Sequence, residues 1–365
     1  MNNAPESDEK LLIKHDSKYY IMSCDIGTSS LRCIIYNEKA IKICTTHEKI
    51  KLLCPQPVSN LAASEITCLG LSTQRASFML WDKITGEPFH NFITWKDVRA
   101  DTMINDWNSS LLMKAVRLGT GFLYHIMRKK RYLAASILKF QNTHVNMRLK
   151  WILENNKKVK EAINKKTLMF GTIDTWLVYQ LTNGKVYATD PSNASGTGIY
   201  DPYLKEWSGF LIKLINLPKD IFPKVRNTYG KLADISPQHF GASIPITAVI
   251  SDQGAAMFGG CGFDQGDVKI TLGTGAFFDL NTGHEPHTSI NGIYPVIGWE
   301  DETGIIYMAE GSSNDNGTVI QWGKDMKLYD DYAETSALAE SVSDSGGVYF
   351  IPSFQGLQVR KYFFN

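Results

Sequence analysis

The chain reads as an α/β protein of two domains that face one another across a cleft, and two observations carry that reading. The first is a pair of similar bends far apart in the sequence, Asp25-Ile26-Gly27-Thr28-Ser29-Ser30-Leu31-Arg32 and Leu272-Gly273-Thr274-Gly275-Ala276-Phe277. In each, glycine lets the backbone approach an anion, and Thr or Ser adds a hydroxyl beside exposed amides. The second is the alternation of strand-like and helix-like stretches over 365 residues, a length that suits two cores. Two such hairpins, opposed, would grip one nucleotide triphosphate from both sides.

The elements follow in order. Tyr19, Tyr20, Ile21 and Met22 lead into the first bend, and Cys33, Ile34, Ile35 and Tyr36 lead out of it. A strand over 66–71 runs into Ser72-Thr73-Gln74-Arg75, and a second over 77–81 ends in a hairpin loop at 82–88. From about 101 to 166 the pattern turns helical, with Leu149, Ile152 and Leu153 at helical spacing around Trp151. The stretch Phe170-Gly171-Thr172-Ile173-Asp174-Thr175-Trp176-Leu177 opens a further helix, with Asp174 and Thr175 as candidates to cap or orient its first turn. An apolar strand over 245–251 delivers Asp252 and Gln253 to its carboxyl end, and a small-residue helix begins at 254–258. Val268 and Ile270 enter the second bend; Phe278 and Leu280 leave it. Ligands of open α/β sheets collect at the carboxyl ends of strands, so Asp252 stands where chemistry is expected. The layout is that of the actin-like ATPase (ribonuclease H-like) architecture with an interdomain cleft.

Composition excludes more than it selects. The 38 Lys and Arg balance 37 Asp and Glu to a net charge of +1, which gives no electrostatic argument for nucleic acid as a partner. The cluster Arg128-Lys129-Lys130-Arg131 reads as a solvated helix face. No apolar run reaches transmembrane length, and residues 1–18 are polar and charged, so a disordered tail and a cytoplasmic location are expected. Cys24, Cys33, Cys44, Cys54, Cys68 and Cys261 show no metal-ligand spacing and read as buried free thiols. His284-Glu285-Pro286-His287 reads as a loop, because Pro286 forbids the helix that would align two imidazoles. Nothing in the sequence sets the oligomeric state, and a homo-oligomer is allowed.

The absence of a G-x-x-x-x-G-K-[ST] loop and of H-R-D and D-F-G segments excludes P-loop NTPases and protein kinases, leaving a small-molecule kinase. Phosphoryl transfer needs phosphate positioning, Mg²⁺ and a carboxylate to take the hydroxyl proton. Asp25 suits the metal's water shell and Asp252 the base; Arg75 offers a forked donor, and Trp95 and Phe277 offer apolar walls. Taken singly, each has a plainer reading. Asp252 reads as a helix cap, Trp95 as core, Arg75 as a surface ion pair. Their order and separation are what point to a site.

At these residues the chain resembles the FGGY carbohydrate kinases, glycerol kinase branch. The similarity is carried by 25–32, Gly70 to Arg75, Trp81-Asp82-Lys83, Trp95, Gly171 to Leu177, Thr189-Asp190 with Asn193-Ala194-Ser195, Asp252-Gln253 and Gly273-Thr274-Gly275. It implies ATP-dependent phosphorylation of glycerol to sn-glycerol 3-phosphate, with ATP and Mg²⁺. Under the resemblance Gly27, Thr28, Ser29, Ser30 and Arg32 hold phosphates from one domain; Gly273 and Thr274, with Gly317 and Gln321 approaching, hold the nucleotide from the other. Arg75, Trp95, Asp252, Gln253 and Phe277 line the polyol pocket, Asp252 is the general base and Asp25 serves the metal.

The family pattern is broken in four places. A family Glu that follows the Gln-Arg pair is here Ala76, and a pocket Tyr is here Thr143. Near 57–63 a helix-bearing segment is missing, and beyond Leu357 the pattern is lost. The expected organisation is a tail at 1–18, an amino-terminal domain at 19–259 and an incomplete carboxyl-terminal domain at 260–365. Two alternatives stay open: a kinase for another polyol or sugar, and an inactive truncated ATP-binding isoform.

Overall fold

The computed structural model describes residues 19–27, 30–49, 61–273, 275–289, 292–313 and 315–351. The expectations for the tail, for 57–60, for Thr28, Ser29 and Thr274, and for the side chain of Ser30 lie outside the described residues. Within them the chain is α/β, built on two main sheets.

The first sheet grows from the first bend. Strand β1 (Tyr20–Ile26) turns back antiparallel into β2 (Ser30–Asn37), and β3 (Lys42–Lys49) continues the meander. On its other edge β1 pairs in parallel with β4 (Ile66–Thr73), β4 pairs in parallel with β12 (Pro245–Ser251), and β11 (Tyr229–Asp234) closes the order β11-β12-β4-β1-β2-β3. Parallel strands need covering on both faces. Leu69, Leu71, Ile246 and Val249 are accordingly buried, with Val178 of helix α6 (Ile173–Leu181) packed against them. The parallel register sets Asp25 opposite Ser72 and Ser251 opposite Thr73, so the carboxyl ends of β1, β4 and β12 lie side by side.

A second core lies beside this sheet. Strands β5 (Phe78–Asp82) and β6 (Leu168–Thr172) pair antiparallel. Phe78, Leu80 and Phe170 are buried there with Met147, Leu149 and Ile152 of α4 (Val145–Asn155). The long helical stretch comprises α1 (Asp101–Ser109), α2 (Leu111–Met127), α3 (Lys130–Ser136), α4 and α5 (Lys157–Lys165). Arg128 to Arg131 do not form a helix face. Arg128 ends α2 in the left-handed region at φ 56°, Lys129 caps α3, Lys130 and Arg131 open that helix, and Arg131 pairs with Asp201 at 2.7 Å.

Asp174 and Thr175 are buried rather than capping α6, whose cap residue is Thr172 without a side-chain bond. Thr189 Oγ1 donates to Asp174 at 2.6 Å instead. Thr189 belongs to β7 (Ala188–Thr189), which pairs with β10 (Lys224–Val225); β8 (Tyr200–Asp201) and β9 (Glu206–Trp207) form another short pair. Helices α8 (Gly209–Leu214) and α9 (Pro237–Phe240) complete this part.

The second sheet is antiparallel in the order β13 (Val268–Leu272), β14 (Ala276–Gly283), β16 (Gly304–Ser313), β15 (Tyr294–Asp301). Among the described residues β13 is an edge. Its Val268, Ile270 and Leu272 stand 51%, 62% and 72% exposed, whereas Ile305 to Glu310 of β16 are buried. After β16 come α11 (Gly317–Asp325) and α12 (Glu334–Glu340).

Two helices join the sheets. Asp190 caps α7 (Pro191–Gly196) by accepting from the amides of Ser192 and Asn193, and Ser195 Oγ of that helix accepts from Ile297 N of β15 at 3.0 Å. Helix α10 (Asp252–Gly259) lies so close to β15 that a Cβ at Gly254 would stand 2.3 Å from the carbonyl oxygen of Gly298. Among the described residues the cysteines are free. Cys24, Cys33, Cys44 and Cys68 are half-buried and Cys261 is exposed, so the expectation of buried thiols holds only in part. No helix among the described residues is long and apolar enough to cross a membrane.

Candidate active site

The three parallel strand ends set the floor of a cleft. Where β4 stops, Gln74 N donates to Ile26 O at 3.0 Å, which ties the first hairpin to the segment carrying Arg75. Ala76 then adopts φ 56°, a left-handed turn that throws the chain into β5. Ser77 Oγ accepts from Trp95 N at 3.2 Å and so fixes the next wall.

Buried Arg148 of α4 gathers these loops. Its guanidinium donates to the carbonyl oxygens of Ala76 at 2.8 Å, Thr94 at 2.5 Å, Thr143 at 3.1 Å and His144 at 3.1 Å. Burial pulls its pKa down to about 9. With Ile93 O at 3.4 Å, five carbonyl dipoles around one cation replace the water it has lost, a satisfied arrangement for a buried charge.

The cleft has a volume of about 180 Å³. Across it the second sheet presents one cross-strand row, in which Lys269 stands opposite Asp279, Asp279 opposite Glu310, and Glu310 opposite Tyr294. Lys269 Nζ lies 2.8 Å from Asp279, and Tyr294 donates its hydroxyl to Glu310 at 2.5 Å. Arg75, 8% exposed, docks on this row through an ion pair with Glu310, 2% exposed, and its Nε lies 3.8 Å from Asp252.

Burial works against the charge on Arg75, but Glu310 and then Asp252 outweigh it and hold the guanidinium protonated. Burial likewise pushes Glu310 upward, but the charge of Arg75 together with hydrogen bonds from Asp279, Tyr294 and Arg75 outweighs it and holds Glu310 below its ordinary range. Asp279 is raised by burial and by Glu310 beside it, so it keeps its proton more readily. Asp252 is raised by burial against the opposing pull of Arg75. His144, with its ring centroid 5.5 Å from that of Tyr294, is lowered to about 4 by burial and is neutral near pH 7.

Asp252 opens helix α10, and its side chain remains 31% exposed toward the cleft. Gln253 donates its backbone N–H to Asp252 Oδ1 at 2.9 Å, while its own Oε1 accepts from Lys269 at 2.6 Å and Thr271 at 3.2 Å. Trp95 and Phe277 meet edge to face at 5.8 Å and form the apolar wall.

The cleft therefore gathers Arg75, Trp95, Asp252, Gln253, Phe277 and Gly273 of the sequence expectation, together with Ala76 and Thr143. Asp25 and Arg32 face each other across the first hairpin, next to Gly27. Gly317 N donates to Gly273 O at 3.0 Å, which seats the start of α11 on the second hairpin. Gln321 lies one turn further on and is engaged by Asp325 and Tyr332. Sequence reasoning missed Glu310, Tyr294, Lys269, Asp279, His144 and Arg148. A signal existed for three of them: Lys269, Asp279 and Glu310 each interrupt an apolar strand.

This is a two-sheet α/β protein with its polar cleft at the carboxyl ends of parallel strands. Residues 53–259 match the model of the FGGY family of carbohydrate kinases, N-terminal domain. Glycerol kinase 5 of Danio rerio is 46% identical over 362 residues, covering 93% of this chain and 68% of that protein. Glycerol kinase 1 of Clostridium tetani is 34% identical over 362 residues, covering 93% and 70%. The crystal structure of Plasmodium falciparum glycerol kinase with ADP superposes with a TM-score of 0.77 at 27% identity, covering 93% of this chain and 70% of that one. The chain belongs to the FGGY family of carbohydrate kinases, enzymes that transfer a phosphoryl group to an alcohol. Its fold is the actin-like ATPase architecture of that family.

Proposed function

We propose that the chain carries the site of an ATP-dependent polyol kinase, with glycerol as the acceptor and Asp252 as the general base. One observation carries the reading: an open carboxylate stands beside a buried, ion-paired arginine in a cleft walled by Trp95 and Phe277. Burial raises the pKa of Asp252, which makes it a stronger base than an ordinary carboxylate. Arg75 and Gln253 orient the acceptor hydroxyls, and the two aromatic rings exclude water from its carbon skeleton.

The relative crystallised with ADP supports ATP as the donor. Gly27, Thr28, Ser29, Ser30 and Arg32 hold its phosphates from the first hairpin, Gly273 and Thr274 from the second, with Gly317 and Gln321 toward the nucleotide. Mg²⁺ bound to a nucleotide needs only one or two carboxylates besides phosphate oxygens, and a single carboxylate at the first hairpin fits that requirement. Asp25, exposed at the hairpin opposite Arg32, is its carboxylate. When bound, Mg²⁺ neutralises phosphate charge. The domain boundary belongs to the same proposal, with 19–259 and 260–365 as the two arms.

A second reading, another polyol or sugar as acceptor, is favoured by Ala76 and Thr143 in the cleft wall. A coupled ADP-release assay with glycerol and a panel of polyols and sugars separates the two. Turnover with glycerol that Asp252→Asn abolishes supports the first reading, and turnover confined to another acceptor supports the second. Turnover that survives Asp252→Asn removes the assigned base, and no acceptor-dependent ADP release at all leaves a nucleotide-binding protein without catalysis.

A further inference from the structure

Helix α2 turns an apolar face outward. Leu111, Leu118, Phe122 and Ile126 recur at helical spacing and stand 82%, 76%, 66% and 61% exposed, while Met113 on the opposite face is fully buried. The helix is well defined at both ends: Ser110 Oγ accepts from Met113 N at 3.2 Å, and Arg128 closes it in the left-handed region. Soluble proteins seldom leave so continuous a stripe in water without a use for it.

Its charge is equally one-sided. From Trp107 through Leu153 the sequence contains no Asp or Glu, although the whole chain is balanced at +1. Lys114 on the helix and Arg128, Lys129 and Lys130 at its carboxyl end are all exposed. At 17 residues α2 spans about 25 Å, so it lies along a surface rather than through a bilayer.

We propose that α2 docks on an anionic lipid bilayer surface, with its apolar stripe in the acyl boundary and Arg128, Lys129 and Lys130 among the headgroups. An apolar stripe bordered by basic residues is the pattern that binds such interfaces. A second copy presenting the same face offers no carboxylate to the basic cluster, because the segment has none. The excursion that carries α2 leaves the cleft wall after Trp95 and returns at Thr143. Asn108 clamps its base by exchanging two hydrogen bonds of 2.9 Å with the backbone of Phe140.

The test is flotation of the full chain with phosphatidylcholine vesicles, with and without phosphatidylserine. The chain rises with the phosphatidylserine vesicles only, and less so at high salt. Lys129→Gln with Lys130→Gln lowers partition about thirtyfold. Phe122→Trp shifts its emission to the blue on adding those vesicles, and Leu118→Ser with Phe122→Ser abolishes flotation while leaving the circular dichroism unchanged. Equal binding to both vesicle types, or none, overturns the proposal. So does a dimer on gel filtration that the double serine variant dissolves without any vesicle binding, which would give the face to a second copy.

Discussion

Removing Arg75 tests the energetic heart of the cleft. In Arg75→Leu the carboxylate of Glu310, 2% exposed, keeps its hydrogen bonds with Tyr294 and Asp279 but loses its counter-charge. Breaking a buried ion pair from one side costs about 3–5 kcal/mol. The second contact, to Asp252 at 3.8 Å with Asp252 31% exposed, adds no more than about 1 kcal/mol. In Arg75→Leu with Glu310→Leu no charge is stranded, so the double variant should be more stable than Arg75→Leu, with a coupling of about 3 kcal/mol. The pH dependence follows from the same pair. In the parent, Arg75 with the Asp279 and Tyr294 hydrogen bonds holds Glu310 below its unfolded value, a contribution present above the ordinary carboxylate value and lost as pH falls below it. In Arg75→Leu no cation opposes burial and the sign reverses: Glu310 takes a proton more readily in the folded state, and the penalty shrinks as pH falls toward about 4. Urea unfolding followed through the buried Trp95 and Trp299 reads both effects. Additive single and double variants, or a penalty of equal size at pH 5 and pH 8 (about 4 units above and near the ordinary carboxylate value, respectively, for the higher and lower pH), would refute the reasoning.

Three further outcomes are expected. Asp174 is raised to about 7 by burial and by nearby Asp190, so its ionisation costs stability as pH rises from about 4 to 7. Asp174→Asn should therefore melt higher than the parent above that window and match it at low pH, and equal melting curves throughout would show that Asp174 is not destabilising. Gly254→Ala forces a Cβ to 2.3 Å from the Gly298 oxygen; it should cost roughly 1–3 kcal/mol in urea unfolding and lower kcat by shifting neighbouring Asp252. Restoring the family residues through Ala76→Glu and Thr143→Tyr should lower KM for glycerol, by about fivefold for each hydrogen bond gained. An unchanged KM would favour a different acceptor.

Much of the cleft's lining was legible because it is encoded locally. The glycine and hydroxyl residues of the two bends, and the apolar strand that stops at Ser251 before Asp252, mark ends of elements, and sheet topology turns such ends into ligand sites. Trp95 and Phe277 could be named singly, although their contact could not. Asp174 shows the limit of a local rule. Its position at the start of α6 suggested a cap, whereas its bond is to Thr189, on a strand formed later in the chain.

From sequence alone came the α/β class, the two bends, the family resemblance and Asp252 at a strand end, because periodicity, turn chemistry and motif spacing act over a few residues. Tertiary structure decided the partners. Arg75 meets Glu310 across 235 residues of chain, and does so because α7 and α10 dock the second sheet against the first. The row Lys269, Asp279, Glu310 and Tyr294 exists only once three strand pairs have chosen their registers, and each polar residue alone reads as a break in an apolar strand. The outward face of α2 was hidden for the same reason: helical periodicity shows that a stripe exists, and only packing shows that it faces solvent.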